Sequence, residues 1–177
     1  MIKLKKSLAL VGLRGSGKST LAFELSKVLN VPVIEMDVEL SNDKGMSIPE
    51  WIKAEGWGSF REAEAQFLKK VSKRKSPCIL SPGGGIITRE QSIKFLQNSF
   101  LTIYLHWSPT VLCERIATDA NRPRLGTTKT ASEEVKLMYK ERNDVYLSCG
   151  HTLKLKKGTK INKTISKVLD IVYRSEF

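Results

Sequence analysis

The chain has 177 residues, a length that favours one domain with a substantial core over two full domains. Apolar residues make up 41% of it and charged residues 27%, which excludes disordered and collagen-like compositions. The 30 Lys and Arg outnumber the 18 Asp and Glu, and the net charge of +12 leaves open an anionic partner such as nucleic acid, a membrane surface or a phosphorylated small molecule.

The first predicted elements form a strand, a helix and a second strand. Residues 7–12 are a continuous apolar run, which is typical of a buried parallel strand. Leucine and valine recur at helical spacing over residues 19–29, and residues 31–36 (VPVIEM) follow as the second predicted strand.

Strands and helices continue to alternate through the middle of the chain. Residues 47–55 and 59–75 have helical periodicity, and Ser59 is the predicted N-cap of the second run. The next predicted elements are a strand at 78–81, a helix around 89–97, a strand at 100–106 and a helix from Pro109 to about Ala117.

Residues 118–130 are polar and rich in Gly, Pro and Thr, which predicts a long mobile loop, and we place a lid at about 118–131. A helix over about 132–147, a strand at 152–155 and a final amphipathic helix complete the chain. Five strands interleaved with helices predict a three-layer αβα fold of the α/β class, with a five-stranded parallel sheet in one domain spanning residues 1–177.

Two features bear on where the protein works. Its three cysteines are far apart, form no CxxC motif and are too few for a disulfide framework, which favours a reducing compartment. No apolar run approaches the roughly 20 residues that span a bilayer. We therefore expect a soluble, cytoplasmic protein.

A phosphate-binding motif lies between the first strand and the first helix. Residues 12–19 read GLRGSGKS and match G-x-x-x-x-G-K-[ST] in full, so the loop predicts a bound nucleoside triphosphate with Mg²⁺. Backbone amides wrap the phosphates, the Lys18 ammonium reaches the β and γ phosphates, and the Ser19 hydroxyl ligates magnesium. The predicted ATP-binding residues here are Gly12, Arg14, Gly15, Ser16, Gly17, Lys18, Ser19 and Thr20.

Further motifs follow in order along the chain: IEMDVEL, GSFREAE, SPGGGI, NRPRL and ERNDVY. Together with the phosphate loop, this series resembles that of the shikimate kinases over about residues 6–155. The resemblance implies a P-loop kinase fold and an enzyme that uses ATP and Mg²⁺ to phosphorylate a hydroxyl of shikimate.

Two acids end the second predicted strand. Asp37 stands where a carboxylate can accept bonds from substrate hydroxyls, although the residues alone allow a helix cap or a solvated acid equally well. The resemblance implies that Asp37 binds the shikimate hydroxyls and orients or deprotonates the nucleophile. Glu35 lies two residues earlier, on the same side of the strand by alternation, and stands where the family commonly has a magnesium-assisting Asp.

Three groups are candidates for binding the rest of the acceptor. Arg61 precedes Glu64 by three residues, which alone indicates a surface ion pair, whereas the resemblance implies a carboxylate clamp oriented by Glu64. Arg142 alone is an exposed helix charge, and the resemblance makes it the second carboxylate-binding arginine. The glycines form either a flexible turn or a closely approached substrate contact: Gly83, Gly84 and Gly85.

The predicted lid carries two arginines. Arg122, followed by Pro123, matches the family's lid arginine that reaches the transferring phosphate. Arg124 departs from the apolar residue usual there, and it is either a solvated charge or a second phosphate contact. Residues 156–158 (KKG) stand near the family's adenine loop but also read as a basic turn, so no base-specific residue is predicted.

The leading interpretation is an ATP-dependent shikimate kinase, expected to be a monomer with no nucleic-acid or membrane partner. One alternative keeps the kinase and changes the acceptor to another small hydroxylated acid such as gluconate. Another is a basic, nucleic-acid-binding P-loop ATPase, although the basic runs lack interleaved aromatic residues. Most of the excess charge lies at the chain ends, because residues 1–18 and 151–177 contribute +5 each.

Overall fold

The computed structural model describes residues 4–117 and 130–175, and its centre is a five-stranded sheet. The strands are β1 (Leu8–Val11), β2 (Val33–Glu35), β3 (Ile79–Ser81), β4 (Leu101–His106) and β5 (His151–Lys154). All neighbouring pairs are parallel and the order is β2-β3-β1-β4-β5, which confirms the predicted α/β fold class.

Seven helices are described, with a 3₁₀ turn at Ile86–Thr88 that was not predicted. They are α1 (Lys18–Leu29), α2 (Met36–Lys44), α3 (Ile48–Ser72), α4 (Glu90–Ser99), α5 (Pro109–Ala117), α6 (Ala131–Ser148) and α7 (Ile161–Ser175). All four residues of β1 are fully buried, so both faces of the central strand are covered, as expected when helices lie on both sides of a parallel sheet.

The second strand is shorter than predicted. It ends at Glu35, and α2 begins at the next residue, so Met36 is helical and Asp37 lies in the first turn of a helix. Met36 and Leu40, four residues apart, are buried on one face of α2, while Asp37 and Glu39 suit the positive end of its dipole. The alternation argument that placed Glu35 and Asp37 on one side of a strand was therefore wrong.

The two helical runs predicted over 47–55 and 59–75 are the two limbs of α3, which is interrupted at Gly56 (φ 79°, ψ 167°). Ser47 caps the first limb in a capping box with Glu50. Ser59 is not an N-cap, because it lies beyond the interruption. Its hydroxyl donates to the Glu55 carboxylate (2.7 Å) and accepts from the Trp51 indole (3.0 Å).

The elements that matter for function follow the carboxyl ends of three strands. The phosphate loop follows β1, α2 follows β2 and the triple-glycine turn follows β3, so all three lie at one edge of the sheet. Lys5 and Lys6 are exposed just before β1, at the opposite edge. Most residues of the predicted lid lie outside the described part of the chain, and Ala131 already belongs to α6.

Across residues 4–117 and 130–175, no helix is both long and apolar enough to cross a membrane. In the same ranges all three cysteines are free thiols, with Cys78 and Cys149 buried.

Candidate active site

The phosphate loop is held open by its backbone. Gly15 and Gly17 have φ of 77° and 87°, the left-handed region where a side chain is strained, and Gly17 directly precedes α1. The loop is anchored from below, because the Trp107 indole donates to the Ser16 carbonyl (3.0 Å). Lys18 lies across the loop, its ammonium donating to the carbonyls of Gly12 (2.9 Å) and Leu13 (3.1 Å). The loop leads directly into α1, and the N–H groups at a helix N-terminus favour an anion.

One cavity of about 970 Å³ brings most of the predicted site together. Predicted residues that line it are Arg14, Gly15, Gly17, Lys18, Ser19, Thr20, Glu35, Asp37, Arg61, Gly83, Gly84, Gly85 and Arg142. Gly12 and Ser16 do not line the cavity, and Ser16 is buried in the loop. Arg122 and Arg124 lie outside the described residues.

Oxygen atoms converge beside the phosphate loop. The Ser19 hydroxyl donates to Glu35 Oε2 (3.1 Å) and lies 3.4 Å from the Ser81 hydroxyl. Hydroxyl and carboxylate oxygens are the ligands that Mg²⁺ prefers, usually completed by water and substrate phosphates. In the described ranges no three His, Cys, Asp or Glu side chains cluster as a metal site. The residues therefore fit a nucleotide-bound Mg²⁺ rather than an ion held by protein alone.

Asp37 faces the cavity from the start of α2. Its carboxyl is open to the cavity, yet the surrounding protein displaces enough bulk water to raise the pKa of Asp37 above its ordinary value. The positive charges of Lys18 and Arg61 act against that rise, and the negative charge of Glu35 adds to it. Asp37 is thus a carboxylate whose proton affinity is increased at the point where phosphate loop and acceptor pocket meet.

Arg61 and Glu64 form a buried ion pair rather than a surface one. Arg61 Nη1 lies 2.5 Å from Glu64 Oε2, and the Glu64 side chain is only 1% exposed. Burial raises the pKa of Glu64 to about 7, although the Arg61 charge opposes this. The guanidinium also lies over the Trp57 ring, 4.7 Å from its centroid, so a carboxylate and an aromatic face hold it in one orientation.

The triple-glycine turn is closely approached on both sides. A Cβ on Gly83 would lie 2.8 Å from Asp37 Oδ1, and a Cβ on Gly85 would overlap the Arg61 guanidinium. The turn therefore lacks side chains because Asp37 and Arg61 occupy that space, which contradicts the alternative of a merely flexible turn.

Arg142 is half-buried on α6, so the interpretation as an exposed helix charge was wrong. Its Nη1 donates to the Gly84 carbonyl (3.2 Å), and the same carbonyl accepts a bond from the Tyr146 hydroxyl. This contact joins α6 to the triple-glycine turn and brings the second arginine to the same cavity as Arg61.

Sequence reasoning missed Arg115. This residue of α5 lies over the Trp107 ring, 3.7 Å from its centroid, donates to the Gly15 carbonyl (3.4 Å) and lines the cavity on its phosphate-loop side. No motif marks it, because its contacts come from residues 8 and 100 positions away in sequence. In the KKG segment at 156–158, Lys157 pairs with the exposed Glu114 (2.8 Å), consistent with a basic turn.

Comparisons with known proteins identify one family. A family model described as shikimate kinase matches residues 14–173. A shikimate kinase of Enterococcus faecalis is 33% identical over 144 residues, which are 81% of this chain and 84% of that protein. One of Cereibacter sphaeroides is 31% identical over 159 residues, 90% of this chain and 79% of that protein.

Shikimate kinases of known structure also match this chain. A shikimate kinase from Acinetobacter baumannii in complex with shikimate superposes with a TM-score of 0.85 at 25% identity, covering 97% of this chain and 95% of that one. The enzyme from Aquifex aeolicus gives 0.80 at 27% identity, covering 97% and 98%. A gluconokinase from Sinorhizobium meliloti gives 0.61 at 15% identity, covering 97% and 94%, a likeness of fold alone.

Proposed function

This chain belongs to the shikimate kinase family, and from that premise we propose how the cavity at the carboxyl edge performs the reaction. The enzyme phosphorylates a hydroxyl of shikimate with ATP, and we assign the product as shikimate 3-phosphate. The observation that carries the residue assignments is the convergence of the phosphate loop, Asp37 and two arginines on one cavity.

ATP binds on the side of the cavity formed by the phosphate loop. Amides of residues 14–20 hold the phosphates, and Lys18 exchanges its loop carbonyls for the β and γ phosphate oxygens. Ser19 and Glu35 are the residues that would hold Mg²⁺, and the bound ion would neutralise negative charge on the phosphates. Arg115 extends the same side as an additional nucleotide contact.

Shikimate binds on the opposite side. Arg61, oriented by Glu64 and Trp57, and Arg142 hold its carboxylate, while Gly83, Gly84 and Gly85 form a floor without side chains. Asp37 accepts a bond from the 3-hydroxyl and takes its proton as the oxygen–phosphorus bond forms and the bond to ADP breaks. The raised pKa of Asp37 suits this role, because a more basic carboxylate accepts a proton more readily.

Arg122 remains a prediction that lies outside the described residues. We propose that it contacts the transferring phosphate, where a cation stabilises the negative charge that spreads over the phosphoryl group. We also propose that the protein is a single-domain, cytoplasmic monomer without a nucleic-acid partner.

An acceptor screen tests this function. Purified protein with ATP and Mg²⁺ should release ADP rapidly with shikimate, and at the background rate with gluconate. Background ADP release with shikimate would sink the assignment, whereas equal rates with both acceptors would show that the arginines select a carboxylate and not the ring.

Changing Arg61→Ala tests the carboxylate clamp. We expect the KM for shikimate to rise about 100-fold or more while the KM for ATP changes little, because a charge-assisted bidentate contact is lost on one side only. Arg89→Ala is the matched control. Arg89 pairs with Glu62, which is next to Arg61 on α3, but Arg89 does not line the cavity. Equal rises in both KM values for Arg61→Ala would contradict the clamp.

A further inference from the structure

Tyr146 is a fully buried residue beside the cavity, and the proposed mechanism assigns it no role. It lies on α6, one helical turn after Arg142, and is 0% exposed. Its hydroxyl donates to the Gly84 carbonyl. Burial raises the pKa of Tyr146 above its ordinary value, so the hydroxyl keeps its proton and acts as a donor.

The Gly84 carbonyl has two donors, and one of them also binds the acceptor in the proposed mechanism. Arg142 donates to it through Nη1 at 3.2 Å, and the same guanidinium is assigned to the shikimate carboxylate. A two-bond contact with a carboxylate needs adjacent N–H groups in the guanidinium plane. The bond to Gly84 uses one of the five N–H groups of Arg142, so it leaves donors for a carboxylate but ties the guanidinium to one orientation. Any turn of Arg142 towards a bound carboxylate weakens this bond.

The carbonyl belongs to a closely approached turn. Gly84 stands between Gly83, which lies against Asp37, and Gly85, which lies against Arg61. The only other donor to this carbonyl within the described residues is the Tyr146 hydroxyl.

The Tyr146 ring is itself fixed. It stacks on Tyr104 with ring centroids 4.8 Å apart, and the Tyr104 hydroxyl donates to Asn143 Oδ1 (3.1 Å) on the same helix as Tyr146. The hydroxyl thus stays at the Gly84 carbonyl whatever Arg142 does.

We propose that Tyr146 is a positioning residue whose hydroxyl satisfies the Gly84 carbonyl, so that Arg142 is released to bind the carboxylate of the acceptor. The proposal rests on the proposed function. Without the hydroxyl, Arg142 is the only donor to that carbonyl among the described residues, and any turn of the guanidinium towards shikimate leaves the carbonyl without a partner there.

The test is Tyr146→Phe, which removes one oxygen atom. We expect the KM for shikimate to rise about tenfold, the effect of one neutral hydrogen bond, while the KM for ATP changes less than twofold. Tyr139→Phe is the matched control, because Tyr139 also lies on α6 and its hydroxyl contacts His106 (2.8 Å) rather than Gly84. Its KM for shikimate should not change.

A double-mutant cycle separates this role from simple structural support. In an Arg142→Ala background there is no arginine to release, so adding Tyr146→Phe should raise the KM for shikimate less than twofold further. Additive losses, or equal rises in both KM values, would overturn the proposal. ADP affinity and Tm report whether each variant is folded with an intact nucleotide side.

Failure of this proposal is distinct from failure of the function. Background turnover of shikimate by the wild-type enzyme would remove the premise. Normal wild-type turnover with an unchanged KM for shikimate in Tyr146→Phe would overturn the role of Tyr146 alone.

Discussion

The two sides of the cavity are built in different ways. The nucleotide side is mostly backbone, a loop of eight consecutive residues (12–19) held by left-handed glycines and lying between one strand and one helix. The acceptor side is mostly side chains, and they come from α2, α3, the turn after β3 and α6. Backbone amides suit phosphates of any nucleotide, whereas paired side chains can distinguish one acceptor from another.

The acceptor side also depends on paired charges. On the acceptor side, Glu64 pairs with Arg61, and Asp37 lies within the fields of Lys18 and Arg61. Removing one of these charged side chains leaves another without its partner. Changes on the acceptor side should therefore affect shikimate kinetics, and leave ATP kinetics nearly unchanged.

The largest effect is expected from Asp37→Asn. An amide cannot take the proton of the attacking hydroxyl, so kcat should fall by about 10² to 10⁴ while the KM for ATP changes little. Steady-state kinetics with each substrate varied in turn measure both values. Asp43→Asn, an exposed change on the same helix, is the control, and a kcat of Asp37→Asn near that of the control would exclude a role in proton transfer.

An intermediate effect is expected from Gly85→Ala. The new Cβ would overlap the Arg61 guanidinium and displace it, so the KM for shikimate should rise about 10- to 100-fold, as when one charged contact is lost. Gly58→Ala is the control, because a Cβ there meets nothing within 4 Å and alanine favours a helix. An equal loss of ATP affinity would mean that the two sides are not independent.

The last effect concerns stability rather than kinetics. The folded pKa of Glu64 is about 7 and its ordinary value is 4.5, so between these pH values the folded state binds more protons than the unfolded state. Stability from this group is thus fully present below pH 4.5 and is lost as pH rises to about 7.

Glu64→Gln should remove this dependence. Subtracting the unfolding free energies of the two proteins across pH 4.5–7 should reveal a wild-type decline of at most about 1.4 kcal/mol per pH unit. Denaturant titrations at several pH values provide the comparison. Parallel curves for both proteins would show that Glu64 titrates with its ordinary pKa.

The same difference explains what could be predicted from sequence. The sheet and the phosphate loop were readable because continuous apolar runs and a contiguous motif encode them locally. The start of α2 at Met36 was not, since an apolar residue after a short strand continues either element, and its burial against the core decides. The burial of Glu64 and the contacts of Arg142 and Arg115 also depend on segments that are distant in sequence, so no spacing pattern predicts them. The family resemblance, not periodicity, singled out Arg61 and Arg142.

The positions of the tryptophans have a practical consequence. The chain has three, and Trp57 is 44% exposed under the Arg61 guanidinium, whereas Trp51 and Trp107 are 5% and 4% exposed. Indole emission responds to charge and water near the ring, so shikimate at Arg61 should change the fluorescence of Trp57. Trp107, which bonds the phosphate loop and lies under Arg115, should respond to nucleotide instead. The protein thus carries a native optical reporter for each substrate, and Trp57→Phe and Trp107→Phe would assign the two signals without any added label.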